Sequence, residues 1–458
     1  MNDLYQGLPL RRRIVAIAAI SAGAMAQQID ALIAGVALPT IARELGVEPS
    51  STVLLVTAYQ LVLAMTVLPL AALGDRIGHR RLYCVGLSLH LVAAGFYAFV
   101  DTLPLLVGVR VLQSLGTAAA MSVAVAMLRQ IYPLKRLGAG LALNTIANAT
   151  GTSLGPVLGG LILSIASWRW VFVAVVPLSL VTLLLHRALP DPQPRASHPF
   201  DKLGALLCAL TFGLLVGGLE SVIHGNHLPL SLALIAIGAA VGIYFVRHEL
   251  RLSTPVLPVD LLAQPVVALS VVGCFTAVLG SIILLVFMPF RLQHGFGFTP
   301  GEIGGMIAAY ALASLMVAPV AGYLSDRIPV ALLGTIGMVV ASIGLLLVAF
   351  LPQAPTPFGV AWRIWVAGAG FGMFFSPNAR LIVAAAPMAR AASAGSLFTT
   401  TRMVGQAMGA TLVAALLALG LGNGPWPALV ATALALIAGL MSLYSLRNIR
   451  HNARFTGS

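Results

Sequence analysis

The stretch Leu73-Gly-Asp75-Arg76-Ile77 returns with one change as Leu324-Ser-Asp326-Arg327-Ile328. Each copy is a short charged break between long apolar runs. Asp75 to Asp326 is a step of 251 residues, Arg110 to Arg363 is 253, and Gly155 to Gly405 is 250. Three matches at nearly one spacing make an internal duplication. It predicts an N-terminal half over 1–186 and a C-terminal half over 265–458. The segment 187–264 lies between them, with a proline- and charge-rich linker, Pro190–Pro199, and two more apolar runs in 203–246.

The composition says what surrounds these loops. Of 458 residues, 59% are hydrophobic and 9% charged, whereas a soluble chain carries about a quarter charged. Ile14–Ile29, Leu82–Val100, Leu203–Leu219, Pro229–Val246, Leu332–Leu351 and Pro427–Leu446 are nearly free of charge. About 20 such residues cross the hydrocarbon as a helix. The runs are continuous and do not alternate, so they are helices and not barrel strands. Fourteen spans are predicted, at 14–38, 51–73, 82–100, 103–128, 138–165, 168–186, 203–223, 229–246, 265–290, 302–322, 330–351, 359–379, 392–421 and 427–446. The fold class is therefore an all-α polytopic membrane protein with two six-helix bundles and two inserted helices.

An even count puts both termini on one side. With the N-terminus inside, the inner segments hold Arg11–Arg13, Arg76, Arg80, Arg81, Arg129, Lys135, Arg136, Arg187, Arg195, Lys202, Arg247, Arg251, Arg327, Arg380, Arg390, Arg447, Arg450 and Arg454. The outer segments hold Arg43, Arg169 and Arg291. That bias places both termini in the cytoplasm and accounts for the net charge of +13 without nucleic acid. No small-residue cleavage site ends the first apolar run. Cys84, Cys208 and Cys274 fall within spans and read as packing residues, without metal or disulfide spacing.

Four features carry chemistry. In the loop Leu73–Arg81, Gly74 and Gly78 admit unusual backbone angles, and Asp75 has Arg76, Arg80 or a helix end as partners. The loop is either a topogenic positive segment or a gate latch whose salt bridges break between states. Gly151, Gly155, Pro156, Gly159 and Gly160 form the second feature. Glycines four apart line one helix face, and Pro156 removes a backbone hydrogen bond. The third is Arg110. An arginine within a span costs about 2.5–3.5 kcal/mol on insertion scales, so it faces inward and needs a partner. It is either a coupling residue or a structural one, and Arg363 and Arg402 raise the same question. The fourth is Asp30, the lone deep acid of its half. Burial disfavours its charge and a neighbouring arginine favours it. It either carries a proton, binds a cationic substrate, or partners an arginine. Glu220, near the outer end of the seventh span, is either solvated at the interface or on a lateral entry path. His90 reads as a packing histidine.

The loop at 73–81 resembles the signature loop of the major facilitator superfamily, Gly-x-Leu-x-Asp-Arg-x-Gly-Arg-Arg, with Ala71 at its first glycine and His79 replacing an arginine. Arg110-Val-Leu-Gln-Ser-Leu-Gly-Thr-Ala118 is similar to that family's fourth-span motif, and Gly151-Thr-Ser-Leu-Gly-Pro-Val-Leu-Gly-Gly160 to its fifth-span antiporter motif. Ile29–Pro39, Trp168-Arg-Trp170, Phe200–Gly204, Pro255–Pro258, Gln293–Gly304 and Arg402–Gly405 resemble the fourteen-span drug:proton antiporters. The first-span motif's Thr and Asn are Leu32 and Gly35, its second-span Trp is Leu54, and the Asn before Pro177 is Val175. The resemblance implies a bacterial inner-membrane exporter that works by alternating access. It exchanges protons for amphipathic, often cationic, drug-like compounds, as a monomer without a cofactor. It also implies that the Gly151–Gly160 contact controls leakage and exchange. The few acids against Arg110, Arg363 and Arg402 leave a second expectation, an exporter or flippase of an anionic or lipid-like metabolite. A non-transporting receptor or scaffold is the third. No phosphate loop, metal cluster or Gly-x-Ser-x-Gly nucleophile points to an enzyme.

Overall fold

The computed structural model describes residues 7–133, 137–190, 201–223, 225, 228–252, 257–325, 327–385 and 391–456. Asp326 lies outside these residues, as do Lys135, Arg136, Arg195, Arg390 and most of the proline-rich linker. Among the described residues there are helices and no strands. This is what hydrocarbon demands, because a helix bonds its backbone groups within itself.

The N-terminal half contains α1 (Leu10–Leu45), the short α2 (Pro49–Thr52), α3 (Leu54–Ile77), α4 (His79–Phe96), α5 (Leu103–Ile131), α6 (Leu137–Ile165), α7 (Arg169–Val173) and α8 (Val176–Leu184). The inserted pair is α9 (Lys202–Ile223) and α10 (Leu228–Glu249). The C-terminal half contains α11 (Pro265–Phe290), α12 (Pro300–Leu324), α13 (Val330–Ala349), α14 (Pro357–Ala385), α15 (Ala391–Ala418) and α16 (Trp426–Thr456). Among the described residues thirteen segments are long and apolar enough to cross a membrane, and Arg169–Leu184 is a shorter apolar one that completes fourteen. The chain is a multi-pass membrane protein. The long stretches at 138–165 and 392–421 each form one helix, with Pro156 inside the first.

The sixth span departs from the expected single helix over 168–186. It is two pieces, α7 and α8, broken at Ala174 and Val175. Pro177 is the cause: it has no N–H for the preceding turn and its ring opposes the carbonyl four residues back, so it starts α8 instead of continuing α7.

Helix pairing repeats between the halves. α6 packs along α1 as α15 packs along α11, α5 along α3 and α4 as α14 along α12 and α13, and α8 along α1 as α16 along α11. Two seams join the halves, α6 with α12 and α3 with α15. The inserted pair lies against the second seam, where α9 touches both α3 and α15.

The apolar core shows which end of the seams is shut. Toward the face away from the termini, Ile33 to Ile41 of α1 share one cluster with Ile282 to Phe290 of α11 and Ile303 to Tyr310 of α12. Toward the termini, Ala16 to Ile20, Leu82 to Leu87 and Met127 to Tyr132 form a separate cluster of the N-terminal half. The halves are thus sealed together at the far face and have their own cores near the termini.

Candidate functional site

A fully buried polar network is assembled inside the N-terminal half. α5 places Arg110, Gln113 and Thr117 on one face, three and seven residues apart. α1 presents Asp30 opposite. Both Asp30 and Arg110 have no exposed surface. Arg110 Nη1 donates to Asp30 Oδ1 at 2.7 Å and to Gln113 Oε1 at 2.7 Å, while Nη2 donates to the Asp30 carbonyl oxygen at 2.8 Å. The guanidinium lies 4.1 Å from the Tyr59 ring centre and 5.4 Å from that of Phe172. Tyr97 donates to Gln113 Oε1 at 2.6 Å and stacks on Phe172 with centres 4.2 Å apart. Thr117 is within reach of the Tyr59 hydroxyl at 3.4 Å and His90 Nδ1 at 3.1 Å. The arrangement uses the planar, multi-donor shape of arginine, and a lysine could not reproduce the three bonds. His90, read from sequence as a packing histidine, belongs to this network.

The glycine helix connects this cluster to the seam. A Cβ on Gly151 would lie 2.6 Å from the Met25 carbonyl oxygen, on Gly155 3.2 Å from that of Ile29, and on Gly159 3.1 Å from that of Ile33. This row therefore packs directly along the turns of α1 that flank Asp30. Gly160 points elsewhere: its Cβ would be 2.5 Å from the Pro300 carbonyl oxygen of α12, and Gly304 of α12 presses on the Pro156 carbonyl oxygen. One motif thus has two functions, with Gly151, Gly155 and Gly159 inside the half and Pro156 and Gly160 across to the other half. A small space beside it is lined by Leu32, Gly35, Val56, Gln60, Pro156, Ile282, Leu285 and Ile307, drawn from both halves.

The charged loops differ from expectation. Only Gly78 separates α3 from α4, at φ +99°, a backbone that favours glycine. Gly74 is instead a packing glycine, because a Cβ there would meet Val123 at 2.5 Å. Among the described residues Asp75 bonds to His79, Oδ1 to Nε2 at 2.9 Å, and His79 Nδ1 meets Gln130 of α5 at 3.1 Å. The residue that departs from the family's arginine is the one that holds the acid. Arg76, Arg80 and Arg81 lie on the same turn. In the second loop Arg380 of α14 donates to Ser325 at 2.7 Å, and Arg327 lies over the Tyr323 ring.

The remaining candidates do not join the cluster. Glu220 is buried and not solvated at an interface: Thr411 of α15 donates to its Oε1 at 2.7 Å where α9 meets α15. Arg363 donates to the Gly359 carbonyl of its own helix and lies 4.6 Å from the Trp362 ring centre. Arg402 is exposed, 5.8 Å from the ring centres of both Phe375 and Phe398. Sequence reasoning passed over Tyr59 and Tyr97, and met Gln113 and Thr117 only as members of the Arg110–Ala118 motif without a role of their own. The signal for two of them was present, since Gln113 and Thr117 share the face of α5 with Arg110.

A family model described as Major Facilitator Superfamily matches residues 20–282 and 270–457. The chain belongs to the major facilitator superfamily. Its relatives in this superfamily include the uncharacterized transporter YebQ of Escherichia coli, 40% identical over 95% of this chain and 96% of the relative. The methyl viologen resistance protein SmvA of Salmonella typhimurium is 31% identical over 85% and 79% of the two chains. The multidrug efflux pump LfrA of Mycolicibacterium smegmatis is 27% identical over 89% and 82%. A POT family transporter in complex with 5-aminolevulinic acid shares the fold with a TM-score of 0.72 at 17% identity, covering 97% of this chain and 99% of that one. A bacterial homologue of the human lysosomal transporter Spinster does so with a TM-score of 0.69 at 16% identity, covering 96% and 99%. These superfamily members are transporters, not enzymes.

Proposed function

We propose that this chain is a proton-coupled exporter of amphipathic, drug-like compounds in the bacterial inner membrane, working by alternating access with both termini in the cytoplasm. The observation that carries this reading is the fully buried Asp30–Arg110 pair next to the glycine helix that forms a seam. Asp30 Oδ1 is committed to Arg110, and Oδ2 takes no hydrogen bond among the described residues, so it is the oxygen with capacity for a proton. A proton there removes the charge that holds the guanidinium. The turns of α1 on either side of Asp30 are those that Gly151, Gly155 and Gly159 pack on. A shift of α1 is therefore passed to Pro156 and Gly160, which meet α12. A close-packed interface of this kind switches between discrete arrangements and does not deform smoothly. Relatives named for multidrug efflux and methyl viologen resistance support the export direction.

The test is efflux from proteoliposomes driven by an imposed pH gradient. Wild type should move a drug-like probe with proton counterflow. Asp30→Asn, at normal membrane level, should bind the probe and not couple it. Gradient-driven export by Asp30→Asn at the wild-type rate would remove Asp30 from the mechanism.

A further inference from the structure

Arg402 is a charged side chain that the scaffold does not require. The spacing that pairs Gly155 with Gly405 puts Thr152 at its place in the N-terminal half. Its direction follows from its neighbours on α15. Met403 packs on α3 with Tyr59, Leu63 and Val67, and Gly405 faces Val278 of α11. Thr411, about two and a half turns further on and so on the opposite side of the helix, faces Glu220 of α9. Arg402 therefore points into the space between the halves, beside Phe375 of α14. Its exposure is to that space and not to lipid. An arginine at membrane depth is tolerated when it faces a water-filled cavity, and there it marks a substrate path.

Its charge is not answered from within. Among the described residues Arg402 has no carboxylate partner. Asp30 is sealed and paired at 2.7 Å, and Glu220 lies on the far side of α15. Phe375 and Phe398, both half-buried, flank the guanidinium. Resting on the reading of this chain as an exporter, we propose that Arg402 with Phe375 and Phe398 forms a binding site for aromatic anions, that is, ring compounds bearing a carboxylate or sulfonate. The guanidinium takes two oxygens of the acid group in its planar fork, and the phenylalanine rings take the aromatic body. A permanently cationic ligand meets repulsion at the same place.

Three probes with one ring system test this: naphthalenesulfonate, naphthyltrimethylammonium and naphthalenemethanol, titrated by calorimetry into the full chain in nanodiscs. Wild type should bind the sulfonate about tenfold or more tighter than the ammonium. Arg402→Gln should erase that preference while the neutral alcohol binds as before, and Arg402→Lys should keep part of it. The proposal is overturned if wild type prefers the ammonium, if Arg402→Gln binds the sulfonate unchanged, or if both variants weaken all three probes alike. Proton-driven efflux is measured separately on the same preparations. A charge preference that depends on Arg402 without any efflux keeps this site and removes the exporter reading.

Discussion

Ser281 stands on α11 where Asp30 stands on α1, and Tyr310 stands on α12 where Tyr59 stands on α3, each pair 251 residues apart. In the C-terminal half Ser281 and Tyr310 simply share a hydrogen bond of 2.5 Å. In the N-terminal half the same two places hold an acid and the ring over which its arginine lies. Arg363 occupies the place of Arg110 in the repeat yet turns back to Gly359 and Trp362. Packing shows the opposite behaviour. Gly155 and Gly159 fit against Ile29 and Ile33, and Gly405 and Gly409 fit against Val278 and Ile282. The duplication has kept its glycine contacts and let its charges diverge. The reason is physical. A glycine row is held by steric contact that any apolar partner satisfies. A buried charge survives only with its partner, so loss of one releases the other.

The largest expected effect tests whether the halves are interchangeable. Asp30→Asn should lower proton-driven export on the order of 10²-fold, a typical loss for a positioned proton-transfer group. Ser281→Asp added to it should not restore transport, because Arg363 is committed to its own helix. Recovery of export in the double variant, assayed in proteoliposomes, would break the comparison.

Arg110→Met should destabilise the chain by about 3–5 kcal/mol, since it leaves a buried carboxylate without its counter-charge. Arg110→Lys should fold and fail to export. In the other half, Arg363→Met should cost little, about 1 kcal/mol, the worth of a bond to a backbone carbonyl. Thermal unfolding in detergent with a fixed lipid content compares the three. Equal losses for Arg110→Met and Arg363→Met would mean that the two arginines have the same role.

The glycine helix gives an intermediate effect and separates its two faces. Gly155→Val should loosen α6 from α1 and lower stability. Gly160→Val should leave each half intact and push α6 from α12, opening the face away from the termini. Spin labels on Arg43 and Gln293 should then move apart in Gly160→Val and not in Gly155→Val. The same distance change in both would show that the seam is not a separate contact.

Asp75→Asn should have the smallest effect. Asp75 is largely exposed and its bond to His79 stays within one half, so about 1 kcal/mol or less is at stake. A several-fold shift in the distance populations between labels near the two charged loops is the most that should follow. A complete switch of state would mean that Asp75 crosses to the other half in the alternate conformation.

How much of this was legible beforehand depends on the physical signal. The apolar runs gave the spans, because the length needed to cross hydrocarbon is fixed. The break in the sixth span was marked by Pro177, but an unbroken hydropathy signal concealed it. Asp30 and Arg110 stood out because charges at membrane depth are rare. Their union was not readable, since 80 residues separate them and only helix packing brings α1 to α5. The role of His79 was hidden for a different reason: it stands only four residues from Asp75, but Arg76, Arg80 and Arg81 beside it were rival partners for the acid.

By itself the sequence determined the class of the molecule, its fourteen apolar segments, its duplication and the small set of charges with something to explain. Those are one-dimensional facts: length, hydropathy, spacing and the cost of charge in lipid. Tertiary structure alone decided which charges pair and which face open space, sealing Asp30 against Arg110, burying Glu220 against Thr411 and leaving Arg402 between two rings. It also divided one glycine motif between an internal contact and a seam. The physical reason is that a side chain's environment depends on the direction in which its helix presents it and on the helix it meets there, and neither is written in the residue itself.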